Sequence, residues 1–453
     1  MKNKKAIVIV LSVLIVALLA AGTVIFLQTG SSETDRKEER HERESRRGND
    51  DGDDEDNDRE ITGDVLDIGT ESVLTEEEYN NAIMDFSFEL NAAEAEKAAG
   101  TNNMISPLSV TFAMGMTSMG ASGDTYSQIA DVMCDGASKY DMERFASDYM
   151  ERMEDDDQVC IANSIWINES IVSRGDYNIS EEYLNLLSRD YYAANRTLPF
   201  NAEAVKEINE WVDDNTDGMI DSIIDEANEK DLMYIINAVA FEGKWESAYE
   251  DYDIDENGSF TDCNGEEQTV KMMSSIEGVY YENDIATGFS KEYEGGDYAF
   301  VAILPKDEDA DMDEFAAMFD GDSYREFMDS ARWLDVYATM PAFSFEYDTE
   351  MKQDFVDMGV ENAFDSSVSE FEDMIDSNER HDIRIDKIIH KTYICLDEEG
   401  TSAAAVTAVT MTEDGACMVS DSEYVVLDRP YMFVIVDTNN NIPVFIGTVN
   451  TFE

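Results

Sequence analysis

The sequence predicts an α+β fold, and three observations carry that expectation. Residues 76–99 place Tyr79, Ile83, Phe86 and Leu90 at spacings of three and four, the period of a helix with one buried face, behind a Thr75 that can cap it. Residues 232–246 (LMYIINAVAFEGKWE), 298–305 (YAFVAILP), 336–345 (VYATMPAFSF) and 430–449 (PYMFVIVDTNNNIPVFIGTV) are apolar runs of strand length. Unbroken apolar character in the first of these means burial on both faces, as in a central strand. Finally, residues 401–412 hold no charge, no proline and no large aromatic, in a chain of which 29% is charged.

At the amino end, Lys2, Lys4 and Lys5 precede an apolar run over residues 6–27. At about 1.5 Å per residue, that run is long enough to cross a bilayer of about 30 Å. It reads as a transmembrane anchor with the lysines kept inside, or as a signal peptide cut near Ala20-Ala21-Gly22. No cysteine lies near it, which excludes a lipoprotein anchor. Either reading expects the domain outside the cytoplasm, at the cell surface or secreted. Residues 28–74 read as a charged linker without a core of its own. Asp51, Asp53 and Glu55 lack the glycine a calcium loop needs and read as part of that solvated tether. The folded domain is expected over residues 75–453.

A formal charge of −71 excludes nucleic-acid binding through phosphate neutralisation, and 43% hydrophobic residues supply a sizeable core. Cys134, Cys160, Cys263, Cys395 and Cys417 are odd in number and form no CxxC pair, so neither a zinc site nor a disulfide scaffold is expected. Cys417 sits in the stretch that could be exposed and is the reactive candidate. Residues 103–129 (NMISPLSVTFAMGMTSMGASGDTYSQI) read as a small-residue helix, a glycine turn and a second helix; residues 161–168 (IANSIWIN) alternate as a strand. Asp213, Asn215, Asp217 and Gly218 begin like an EF-hand loop, but Ile224 stands where its bidentate glutamate belongs.

The uncharged stretch lies within EEGTSAAAVTAVTMTEDGACM, residues 398–418, behind a strand-like run over 383–396. Loops normally use Gly, Pro, Asn and Asp, whereas Ala, Val and Thr dominate here, as in strands. On alternate residues one face carries Thr401, Ala403, Ala405, Thr407, Val409 and Met411, the other Ser402, Ala404, Val406, Ala408, Thr410 and Thr412. Such a piece fits between two strands without burying a charge. Composition leaves both a buried strand and an insertable loop open.

KIIHKTYICLDEEGTSAAAVTAV, residues 387–409, resembles the hinge of the serpin family, whose reactive loop inserts into its own sheet after cleavage. The ISPLS segment at 105–109, INEWVDDNTDGMI at 208–220, NAVAFEGKW at 237–245, and the YAFVAILP, MPAF and closing hairpin pieces resemble further family signatures in the family's order. The resemblance covers residues 75–452. It implies a large central, mostly antiparallel sheet with further sheets, surrounding helices and an exposed reactive-centre loop. It also implies a hinge at Glu398, Glu399, Gly400, Thr401, Ser402, Ala403, Ala404 and Ala405, with Gly400 allowing the backbone to swing. A sheet-opening cluster is implied at Ser106, Ser109, Asn237 and His390, with Trp245 where the loop first enters.

Counting about sixteen residues on from Glu398, the family's usual interval, puts the reactive bond at Asp414-Gly415; counting back from Pro430 lands nearer Val419. No GxSxG, HExxH or GxGxxG motif is present, and the three histidines are His41, His381 and His390. The expectation is therefore a monomeric suicide-substrate inhibitor of serine proteases, with cysteine proteases as a second class, needing no cofactor and no metal. A non-inhibitory carrier or chaperone and a surface binding module are the alternatives.

Overall fold

The computed structural model describes residues 64–154, 156–175, 177–376, 383–401 and 422–452. The expected anchor at 1–27, most of the tether, and Ser402, Ala403, Ala404, Ala405, Asp414, Gly415 and Cys417 lie outside them. Among the described residues no helix is long and apolar enough to cross a membrane.

Helix α1 (Glu76–Ala98) begins at Thr75, whose hydroxyl accepts from the Glu78 N–H while the Glu78 carboxylate accepts from the Thr75 N–H. This reciprocal arrangement satisfies two donors that a helix start otherwise leaves open. Helix α2 (Pro107–Met119) is capped by Ser106 and has proline at its first turn, where the missing N–H is no loss. After Gly120 follow α3 (Gly123–Cys134) and α4 (Lys139–Met153). Asp213 and Asn215 belong to the helix Ala202–Asn215, and Asp217 and Gly218 turn with positive φ at its end. This is a helix terminus closed by the Gly218 N–H on the Asp213 carbonyl at 2.8 Å, not a calcium loop.

In chain order the strands are β1 (Asn103–Ile105), β2 (Val159–Asn168), β3 (Ala194–Leu198), β4 (Met233–Phe241), β5 (Gly243–Lys244), β6 (Ile254–Thr261), β7 (Glu267–Glu282), β8 (Ala286–Glu292), β9 (Tyr298–Pro305), β10 (Arg332–Pro341), β11 (Phe343–Glu350), β12 (Ile389–Leu396), β13 (Gly400–Thr401), β14 (Ser422–Val426), β15 (Tyr431–Asp437) and β16 (Ile442–Val449). One sheet runs β1-β16-β15-β9-β8-β7-β10-β14, with β6 also on β7. Its buried strands β9, β15 and β16 and the helices α1 and α2 build the main core. The other strands form β3-β2-β4 and β11-β12-β13-β5. Pairing is antiparallel except between β2 and β3 and between β10 and β14.

Two runs that read as single strands are divided, and a third is shortened. Residues 232–246 break at Glu242: β4 pairs with β2, and β5 turns to β13. Residues 336–345 break at Ala342, beyond Pro341, which has no N–H to carry the ladder on; β10 stays in the largest sheet and β11 enters another. In the run 383–396 the strand starts only at Ile389. The alternation IRIDKI before it arises because Ile383, Ile385 and Ile388 pack on the core as extended chain. Residues 64–74, within the span read as tether, run along the domain: the Leu66 N–H donates to the Glu182 carbonyl at 3.1 Å, and the Val73 N–H donates to Asp141 at 2.9 Å.

Replacing Thr75 by alanine removes the α1 cap on an exposed surface. About 1 kcal/mol of stability is expected to be lost, seen as a fall of roughly 2 °C in calorimetric melting temperature.

Candidate functional site

The strands β3-β2-β4 and β5-β13-β12-β11 are two parts of one surface, because β4 passes into β5 across the single residue Glu242. Since β13 is antiparallel to both β5 and β12, β4 and β12 run in the same direction. They come into contact, yet among the described residues no ladder joins them. At one end the short strand β13 lies between β12 and β5, the continuation of β4.

That end is built from the turn after β12. The Asp397 N–H donates to the Gly400 carbonyl at 2.9 Å, and the Asp397 side chain accepts from the N–H groups of Glu399 and Gly400 at 2.9 and 3.3 Å. An aspartate closing its own turn in this way reverses the chain within four residues. The carbonyls of Glu398 and Glu399 accept from the N–H groups of Tyr249 and Trp245, both at 2.9 Å. The Trp245 indole N–H donates to the Asp397 carbonyl at 3.0 Å, and its ring stacks on Tyr293 at 4.4 Å. The Tyr293 hydroxyl meets the Thr401 hydroxyl at 2.6 Å, with Thr401 buried. Two cations join this polar end: Lys271 pairs with Glu398 at 2.5 Å, and the buried Lys291 pairs with Glu277 at 2.9 Å beneath the rings of Trp245 and Tyr249.

Gly400 has an ordinary φ, so dihedral freedom does not explain it. A Cβ there would lie 2.1 Å from the Gly243 carbonyl oxygen and 2.8 Å from the Lys244 Cα. Only a residue without a side chain lets β13 lie this close to β5.

At the far end of β12, the Ser106 N–H donates to His390 Nε2 at 2.9 Å, and the Ser106 hydroxyl accepts from the Ser109 N–H at 3.2 Å. The Thr392 hydroxyl donates to the Met104 carbonyl at 2.8 Å. Burial holds the His390 pKa down to about 4, partly opposed by the carboxylate of Glu94. The ring is therefore neutral at pH 7, with Nε2 as its acceptor. Asn237 belongs to a separate set on the other part of the sheet: its amide donates to Asn163 Oδ1 at 2.7 Å, and Asn163 in turn donates to the Tyr191 carbonyl at 2.7 Å. The Asn237 Oδ1 atom is buried with no hydrogen-bond partner among the described residues.

A family model described as "Serpin (serine protease inhibitor)" matches residues 81–451. The chain belongs to the serpin family. An uncharacterized serpin-like protein of Methanosarcina mazei is 32% identical, covering 82% of this chain and 86% of that protein. Human leukocyte elastase inhibitor is 25% identical, covering 82% and 98%. The crystal structure of the thermophilic serpin tengpin in its native state superposes with a TM-score of 0.75 at 34% identity, covering 86% of this serpin and 98% of that chain.

Within this serpin, Ser106, Ser109 and His390 come together, and Trp245 lies against the residues that carry Gly400 and Thr401. Asn237 does not bond to the serines or to His390 among the described residues. Sequence reading missed Asp397, Tyr249, Lys271, Lys291 and Tyr293. The Asp-x-x-Gly turn signal at 397–400 was available for the first. Only 31 Lys and Arg stand among 102 Asp and Glu, so any cation drawn into the fold carries information, but nothing local marks which one.

Because the folded His390 pKa lies below its unfolded value near 6.5, the unfolded chain takes up the extra proton. Stability from this group is complete above about pH 6.5 and falls as pH drops toward 4, by on the order of 3 kcal/mol. His390→Gln keeps an acceptor for Ser106. Its melting temperature is expected to fall less steeply than that of the wild type between pH 6.5 and pH 4.5.

Proposed function

We propose that this serpin is an extracellular protease inhibitor that traps serine proteases as covalent acyl complexes by inserting its cleaved loop into the divided sheet. The observation that carries the reading is β13: Gly400 and Thr401 already lie in place between β12 and β5, antiparallel to both. A strand continuing from Thr401 would run antiparallel to β4 and β12 as well, the arrangement in which sheet hydrogen bonds are straightest. The residues next in line, SAAAVTAVTMT, bring no charge and no proline into that path.

In the proposed step the protease serine oxygen bonds to the carbonyl carbon of Asp414, and the serine proton reaches the Gly415 amine through the protease's own base as the peptide C–N bond breaks. The amino-terminal side of the cut is then an ester on the protease. Pulling residues 402–412 into the sheet draws that ester along the molecule and distorts the protease before water attacks. Small side chains keep insertion ahead of deacylation. Asp414 suits a protease with a preference for acidic residues. Met411, Ala416 and Met418 are the apolar alternatives, in keeping with the elastase inhibitor named among the relatives. The apolar stretch at 6–27 supports delivery outside the cell, anchored or secreted.

Thr401 is already buried, so Thr401→Arg would disturb the native state itself; Ala403→Glu is the cleaner test. A charge carried into the sheet without a partner costs several kcal/mol. With that variant, cleavage by the target protease is expected to continue while denaturant-resistant complex disappears. An undiminished yield of complex would overturn the mechanism.

The loop-nicked wild type is expected to melt well above the intact protein, because insertion completes the sheet. An unchanged melting temperature would favour a carrier or binding module.

A further inference from the structure

Four of the large hydrophobic side chains that stand exposed gather on one face of the sheet strands β7, β10 and β14. Ile276, Tyr337 and Tyr424 are direct cross-strand partners. The rings of Tyr337 and Tyr424 stack at 4.9 Å, inclined by 16°. Ile276 is 61% exposed and Tyr424 71%. The adjacent row is Ser274, Thr339 and Val426, in which the first two hydroxyls lie 3.0 Å apart. These six side chains include no charge, in a chain with 102 acidic residues. A solvated sheet face has no need of two stacked tyrosines beside an open isoleucine. Aromatic side chains give large contact area for little lost entropy and are enriched where proteins meet.

Position decides the occupant. Strand β14 opens at Ser422, seven residues beyond Gly415. At 3.3–3.6 Å per residue the proposed reactive bond therefore lies within about 25 Å of this face. A cut nearer Val419 shortens the distance further. A protease whose cleft holds that bond has its rim within reach of β14. We infer that the Ile276–Tyr337–Tyr424 face is an accessory docking surface for the rim of the target protease, met beside the cleft through apolar and neutral hydrogen-bonding groups. This rests on the inhibitor reading above and adds to it: part of the target choice sits on the rigid sheet, outside the loop sequence.

The test uses the full chain and the protease from a panel of subtilisin-like, elastase-like and glutamate-specific enzymes that forms denaturant-resistant complex fastest. Under dilute conditions the association rate constant contains the affinity of the encounter complex, so a lost contact appears there as a fold-change. Tyr337→Ser/Tyr424→Ser is expected to lower that constant about tenfold, with the number of inhibitor molecules consumed per protease unchanged. Ile276→Ser, outside the stacked pair, is expected to lower it by a smaller factor at the wild-type melting temperature, which guards against misfolding of the double variant. A synthetic peptide of residues 407–419 should not distinguish this protease from panel members that the whole inhibitor reacts with slowly.

Wild-type complex formation with equal rate constants for all variants would overturn the docking surface and leave the inhibitor reading standing. No complex with wild type would overturn both. Light scattering that shows a wild-type dimer, lost in the double variant while its rate constant holds, would assign the face to a second copy and refute the protease as occupant.

Discussion

Backbone N–H and C=O groups inside a fold need partners, and the division of the central sheet sets that requirement against the chain's own path. Strands β4 and β12 run the same way, each held along one side by β2 or by β11. Between them, the described chain supplies the two residues of β13. The hairpin at 397–400 is the point where this is decided, since Asp397 turns the chain back toward the seam and Gly400 lets it touch β5. The turn sets Gly400 and Thr401 between β5 and β12, at the end of the seam.

The two parts of the sheet are secured independently. β12 is pinned to the Ser106 cap of α2 through His390 and to β1 through Thr392, whereas β4 is tied to β2 through Asn237 and Asn163. The two parts thus have separate polar anchors among the described residues. On the β4 side one acceptor, Asn237 Oδ1, is buried with no hydrogen-bond partner among the described residues. Neutral His390 serves the same arrangement, because a charged imidazole could not accept from the Ser106 N–H.

At the opposite end the contrast in electrostatics is strong. The surface is acidic, yet Lys271 and Lys291 are drawn to the residues around β13, where each has a carboxylate partner and Lys291 lies under two aromatic rings. Buried charges persist only when paired, so these contacts fix Trp245 and Tyr249 against the turn. The uncharged cluster of Ile276, Tyr337, Tyr424, Ser274, Thr339 and Val426 is another departure from the acidic background, and it adjoins the strand that opens at Ser422.

Much of this was legible in the sequence. The capped helix at 76–98, the buried strands β9, β15 and β16 and the helix end at 213–218 are local patterns, set by periodicity, capping and turn chemistry within a few residues of chain. What the tertiary structure alone decided is partnership. Residues 232–246 and 336–345 look continuous because both pieces of each are buried and apolar, but different neighbours claim the two pieces. Residues 383–388 look like strand because packing on a core produces the same alternation as pairing does. Gly400 reads as a hinge, yet its reason is a carbonyl oxygen of Gly243, over 150 positions earlier in the chain. Hydrogen-bond partners and close approaches between distant segments leave no local trace, and so the seam, its two anchors and the lysines beside Trp245 appear only when the chain is folded.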